Sequence, residues 1–180
     1  MTNETSPCLR TASSFIKKFY NRSVWGAKIS AYLFGRFFGR INNMKFCSAC
    51  LLGINCRYDG QIIPNDKVIE LAKREILIPV CPEQLGGLST PREPAEQKGN
   101  KVITKSGNNV TRNFTEGAKQ VLKLAKLFGI KEAILKQESP SCGCGRIYDG
   151  TFSNRLIRGD GVTTLLLKKN KIKVITEEDL

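Results

Sequence analysis

Three cysteines of this chain each sit in a short turn rich in Gly or Pro: Cys50 in ACLLG, Cys81 in VCPEQLGG and Cys142 in PSCGCG. Thiolates are the ligands that iron–sulfur clusters require, and three of them would leave one iron of a four-iron cluster open to a substrate. Glycines in such turns allow close backbone approach and leave N–H groups free to bond cluster sulfides or an anion. The chain contains no histidine, so a His-ligated catalytic zinc and a Cys–His nucleophile pair are both excluded. Two other readings of the same cysteines stay open from the residues alone. They are buried, inert thiols, or a Cys-ligated structural zinc, although the one C-x2-C pair is Cys47–Cys50. Cys47 falls inside a predicted strand and should face another direction, while Cys56 and Cys144 are candidates for a fourth ligand or a reactive thiol.

Other groups that do chemistry crowd the same turns. Glu83, two residues after Cys81, is placed to move a proton, and Ser139 and Ser141 flank Pro140 beside Cys142, where a hydroxyl could hold a substrate carbonyl or thiocarbonyl. Arg57 in CRYDG and Arg92 in STPREPAE are candidates to hold an anion or a nucleobase edge. The plainer alternative for these side chains is turn stabilisation and salt bridges with Asp59, Glu93 or Glu96.

Hydrophobic patterning supplies the elements that must position these groups. Residues 45–50, 76–81, 132–136 and 172–176 read as short strands, and helices are predicted from Asn65 or Asp66 to Arg74, over 115–128 and over 160–168. In the longest helix Ala118, Val121, Leu122, Ala125 and Phe128 recur at helical spacing, with Thr115 as the expected cap and Gly129 as the stop. Residues 101–105 and 109–112 suggest paired extended segments around SGN. Strands alternating with helices imply a three-layer α/β fold, Rossmann-like, with a mostly parallel sheet and helices on both faces. In such sheets ligands bind beyond the carboxyl ends of the strands. Cys50 and Cys81 end the first two of these strands and Cys142 lies just after the third, so the topology delivers them to one edge.

The bulk numbers bound the rest. With 180 residues and 41% apolar content, the chain suits one domain with an appendage. Seven cysteines, an odd number, argue against a closed disulfide framework, and no clean secretory or membrane-spanning segment is present; a cytoplasmic, reduced setting is expected. The net charge is +13 and is unevenly spread: residues 1–43 carry seven Lys/Arg against Glu4 alone. That segment reads as a presequence, a basic arm, or sequence upstream of a true start at Met44, and the last is favoured because a strand begins directly after Met44. A basic surface also admits an RNA-binding module near thiolated tRNA. Against it, Trp25 lies in the extension and only Phe114, Phe128 and Phe152 punctuate the later half.

The segments SACLLGINCRYDG (48–60), PVCPEQLGGLSTPREPAE (79–96) and SPSCGCGRIYDGTF (139–152) resemble the signatures of the DUF523 family. The likeness runs from Met44 nearly to the end. It implies a thiouracil desulfurase, or desulfidase, carrying a [4Fe-4S] cluster on three cysteines with the fourth iron free to take the substrate sulfur as hydrosulfide. By motif, the ligands would be Cys50, Cys81 and Cys142, the same three that the strand ends select. The acidic and serine residues implicated in the family match Glu83 and Ser139 or Ser141 most nearly. The expected reaction is non-redox desulfuration of a thiolated nucleobase or nucleoside such as 2-thiouracil, with Arg57 and Arg92 toward the substrate. The expectation outside this family is a non-catalytic iron–sulfur or zinc protein, a redox sensor or sulfur carrier.

Overall fold

The computed structural model describes residues 44–180, so the expectations for residues 1–43 lie outside the described part. Four short strands form a parallel sheet: β1 (Lys45–Ser48), β2 (Leu77–Val80), β5 (Glu132–Leu135) and β8 (Lys173–Thr176), in the order β2-β1-β5-β8. From β1 the chain moves outward to β2 and later returns on the other side as β5. The order therefore reverses between β1 and β5, which is where a parallel sheet opens a crevice for a ligand.

Side chains alternate across the sheet as the strand period requires. One face carries Phe46, Ala133 and Leu135 and packs with Val121, Ala125 and Leu167. Those partners come from helix α3 (Thr111–Phe128) and helix α4 (Val162–Lys169). The other face carries Cys47 and Ile134 and packs with Leu51 and Val68, the latter from helix α1 (Asp66–Ala72). The three-layer expectation is met. Asn65 caps α1 as expected, its side chain accepting from the Val68 N–H. Pro79 sits inside β2, which is tolerable because β2 is an edge strand and needs no outward N–H.

Three local expectations change. The strand over 45–50 ends at Ser48, and Ala49–Leu52 coil into a 3-10 turn closed by Gly53 in the left-handed region. The hairpin joins β3 (Ala95–Lys98) to β4 (Lys101–Thr104) across Gly99 and Asn100, whereas 109–110 only brushes β4 through an Ile103–Asn109 bridge. The turn signal is the Gly99–Asn100 pair, with Gly99 at φ 59. Helix α3 starts at Thr111, where Asn109 Oδ1 accepts from the Thr111 N–H; Thr115 lies one turn in and bonds back to the Thr111 carbonyl. A second hairpin, β6 (Arg146–Tyr148) with β7 (Leu156–Arg158), was not anticipated.

Candidate active site

All three predicted ligand cysteines reach one cavity of about 500 Å³ beyond the carboxyl ends of β1, β2 and β5, and Cys56 joins them. Cys50 lies in the 3-10 turn after β1. Cys81 follows β2 directly and opens the short helix α2 (Pro82–Leu85). Helix α2 is fixed by backbone-to-backbone packing on α3: a Cβ on Gly117 would meet the Pro82 carbonyl oxygen at 1.8 Å, and one on Gly86 would meet that of Asn113 at 2.0 Å. Asn113 Nδ2 also donates to the Gly86 carbonyl at 2.9 Å. The glycine in α3 thus sets the height at which Cys81 and Glu83 are offered.

Cys142 is held by a turn knitted to the start of α4. Gly143 N–H donates to the Ser139 carbonyl, Gly161 N–H to that of Gly143, and Thr164 Oγ1 to that of Cys142 at 2.7 Å. Gln137 clamps the far side, its Oε1 accepting from Cys144 N–H at 2.9 Å and its Nε2 donating to the Cys144 carbonyl at 3.1 Å. Cys144 itself is absent from the cavity wall, as is Cys47, whose thiol is buried on the other face of the sheet and pushed up to about 12 by that burial.

The four cavity thiols differ in character. Cys81 Sγ donates to the Cys56 carbonyl at 3.7 Å, and the Cys56 thiol's pKa is raised, first by hydrogen bonding with the Cys50 and Cys81 thiolates. The same bonds lower Cys50, and they bring Cys81 down to about 7 against the cost of burial. Cys142 is raised by burial, with a hydrogen bond to Ser48 acting in the opposite sense. Cys50 and Cys81 are the cavity thiols whose surroundings favour the thiolate. Among the described residues no three His, Cys, Asp or Glu side chains are gathered tightly enough to enclose a single metal ion. Four thiols converge on the cavity and the chain has no histidine, and that thiol-rich wall fits an iron–sulfur cluster.

The polar candidates separate clearly. Ser139 lines the cavity and its Oγ accepts from the N–H groups of Ser141 at 3.1 Å and Cys142 at 3.2 Å. Ser141 does not line it; fully buried, it shares a 2.9 Å hydrogen bond with Thr163. Glu83 lines the cavity, with Oε2 held at 2.8 Å by Arg92 Nε. The remaining Arg92 donors go to the Ser89 carbonyl, Thr90 Oγ1 and the Cys56 carbonyl, so this guanidinium ties the Cys56 loop to α2. Arg57 also lines the cavity, but two of its nitrogens grip Asp59 at 3.0 and 2.7 Å while its guanidinium lies 5.8 Å from the Tyr58 ring.

Sequence reasoning did not single out Ser48, Glu96, Lys136, Glu138 or Tyr148 as site residues, yet all of them line the cavity. Ser48 and Lys136 flank the switch point, and the Lys136 N–H donates to Ser48 Oγ at 2.9 Å. Their signal was present in SAC and KQES, at the carboxyl ends of β1 and β5. Of the three aromatics considered for RNA stacking, Phe114 is buried in the core and Phe152 lines the cavity.

The family model for 2-thiouracil desulfurase matches residues 46–179. The chain belongs to this family. It is 45% identical over 147 residues to the uncharacterized protein YbbK of Bacillus subtilis (strain 168), covering 76% of this chain and 97% of that protein. A solved structure named as the [4Fe-4S]-dependent thiouracil desulfidase TudS (DUF523Vcz) is likewise 45% identical, with a TM-score of 0.73, covering 77% of this chain and 93% of the other. The parallel α/β architecture is shared with that structure. No helix among the described residues is long and apolar enough to cross a membrane.

Proposed function

We propose that this family member is a [4Fe-4S]-dependent desulfidase that replaces the sulfur of a thiolated pyrimidine base or nucleoside with oxygen. The observation that carries the reading is the meeting of Cys50, Cys81 and Cys142, from three distant segments, with Glu83 and Ser139 on one cavity. Cys50, Cys81 and Cys142 would hold the cluster. When bound, it supplies an open iron that acts as a Lewis acid toward the thiocarbonyl sulfur.

The protein residues then divide the work. Ser139 has its oxygen occupied by two backbone N–H donors, which leaves its own O–H to donate into the cavity and fix the base. Arg92 orients the Glu83 carboxylate through Oε2, and the other oxygen takes the proton of the attacking water. The C–S bond breaks, a C–O bond forms, and sulfur leaves as hydrosulfide without change of oxidation state. The six described cysteines are all free thiols, which suits a reducing compartment, and we place the reaction in the cytoplasm.

The test is anaerobic incubation of cluster-loaded protein with 2-thiouracil, 4-thiouracil and their nucleosides. Sulfide and the oxygenated base should appear in equal amounts. Intact cluster with no sulfide from any of the four would sink the reading.

A further inference from the structure

Glu96, in β3, is only 8% exposed and lines the same cavity as the cysteines. Its Oε2 accepts from the backbone N–H groups of Gly150 at 2.9 Å and Phe152 at 3.0 Å. These bonds hold the turn between β6 and β7 against β3, with Phe152 and Asn154 in the cavity wall. The approach is tight: Gly150 has φ +87, and a Cβ there would meet the Gln97 carbonyl oxygen at 2.5 Å. Phe152 and Asn154 also adopt the left-handed region, at φ 58 and 60. A turn with that many unfavourable conformations needs an anchor, and the Glu96 carboxylate is that anchor.

One oxygen of the carboxylate remains. Among the described residues no hydrogen bond and no ion pair engages Glu96 Oε1, and Oε1 is not among the atoms sealed away without a partner. An unpartnered oxygen of a largely buried glutamate on a cavity wall calls for a donor from whatever fills the cavity. Thiolated pyrimidines supply one, because the thiocarbonyl of 2-thiouracil lies between two ring N–H groups. We infer that Glu96 determines specificity by accepting a ring N–H of the substrate through Oε1 while Oε2 holds the Phe152 turn over the base. The inference rests on the desulfurase reading for the identity of the ligand, and it restricts substrates to cyclic thioamides and thioureas that keep a ring N–H.

The experiment compares wild-type and Glu96→Gln protein, both cluster-loaded, for calorimetric binding of uracil and 1,3-dimethyluracil and for kcat and KM with 2-thiouracil. Glutamine keeps an oxygen for the Gly150 and Phe152 N–H groups but turns a donor toward the ligand. Uracil binding should weaken by roughly 10- to 100-fold and KM rise in parallel, the range for losing a hydrogen bond to a charged group. The visible spectrum and kcat should change little, and 1,3-dimethyluracil should bind weakly and alike to both proteins. Unchanged uracil affinity in the variant would overturn the assignment. Should the variant not fold, equal affinity of the wild type for uracil and 1,3-dimethyluracil would overturn it as well. Glu96-dependent uracil binding without sulfide release would support the assignment while removing the desulfurase reading.

Discussion

At the scale of single residues, the site is decided by how many hydrogen-bonding positions each group has left. Ser139 has spent its acceptor capacity on two N–H groups and offers a proton; Ser141, two residues on, is buried against Thr163 and away from the cavity. The sequence SPS cannot separate these two hydroxyls, because only the turn after β5 decides which one faces the cavity. The contrast is testable. Ser139→Ala should lower turnover by roughly 10- to 100-fold with the cluster spectrum intact, whereas Ser141→Ala should cost about 1 kcal/mol of stability and leave turnover near normal. Glu83→Gln should lower kcat by about 10²- to 10⁴-fold with iron content unchanged, measured as sulfide release at saturating thiobase. That Cys50, Cys81 and Cys142 meet on one cavity was legible in their strand-end positions and Gly/Pro turns. The role of Arg92 was not: its partner Glu83 lies nine residues away across a loop, and the pairing makes it an orienting group in contact with Glu83 and the Cys56 carbonyl.

At the scale of elements, the decisive contact is between α2 and α3. Cys81 precedes, and Glu83 sits on, a helix of only four residues, too short to hold itself in place, and its position is imposed by the Gly86–Gly117 approach. Gly117→Ala should therefore act at a distance. It should destabilise the fold by about 1–3 kcal/mol through overpacking and also reduce the iron retained after gel filtration, although residue 117 carries no ligand. The longest helix was readable because its buried face repeats at the helical period, and the four sheet strands because each is a short apolar run of strand length. The β6–β7 hairpin was not readable. All three β7 residues are exposed, so no buried face marks the strand, and the turn relies on Glu96, more than fifty residues earlier, to hold it.

At the scale of the whole molecule, an ion network and the thiol cavity occupy opposite ends of the parallel sheet among the described residues. The thiols gather at the carboxyl ends of the strands, while Lys45, Glu75, Glu132 and Lys173 form an ion network where the strands begin. Lys45 Nζ lies 3.1 Å from Glu132 and 2.7 Å from Glu75, the latter an ion contact in which Glu75 Oε2 lacks a hydrogen bond of good geometry. The Glu132 carboxyl is held below its ordinary range, first by Lys173 and also by Lys45 against the cost of burial. A lowered folded pKa means that this stabilisation is present above the unfolded value, about 4.3, and is lost as pH falls through the folded one. Lys45→Met should thus cost about 1–3 kcal/mol near pH 7 in denaturant titrations and progressively less as Glu132 is protonated in acid. Iron content should not follow, because the site lies at the other end. A variant that lost both together would argue against two independent ends.

The central claim is tested most directly by iron and acid-labile sulfide per chain, with the visible spectrum, on anaerobically reconstituted protein. The account predicts about four of each and a broad thiolate-to-iron band. Single Cys50→Ala, Cys81→Ala or Cys142→Ala replacement should abolish the band, and Cys56→Ser or Cys144→Ser should retain it. Zinc in place of iron, no metal after reconstitution, or a band that survives in any of the three alanine variants would contradict it.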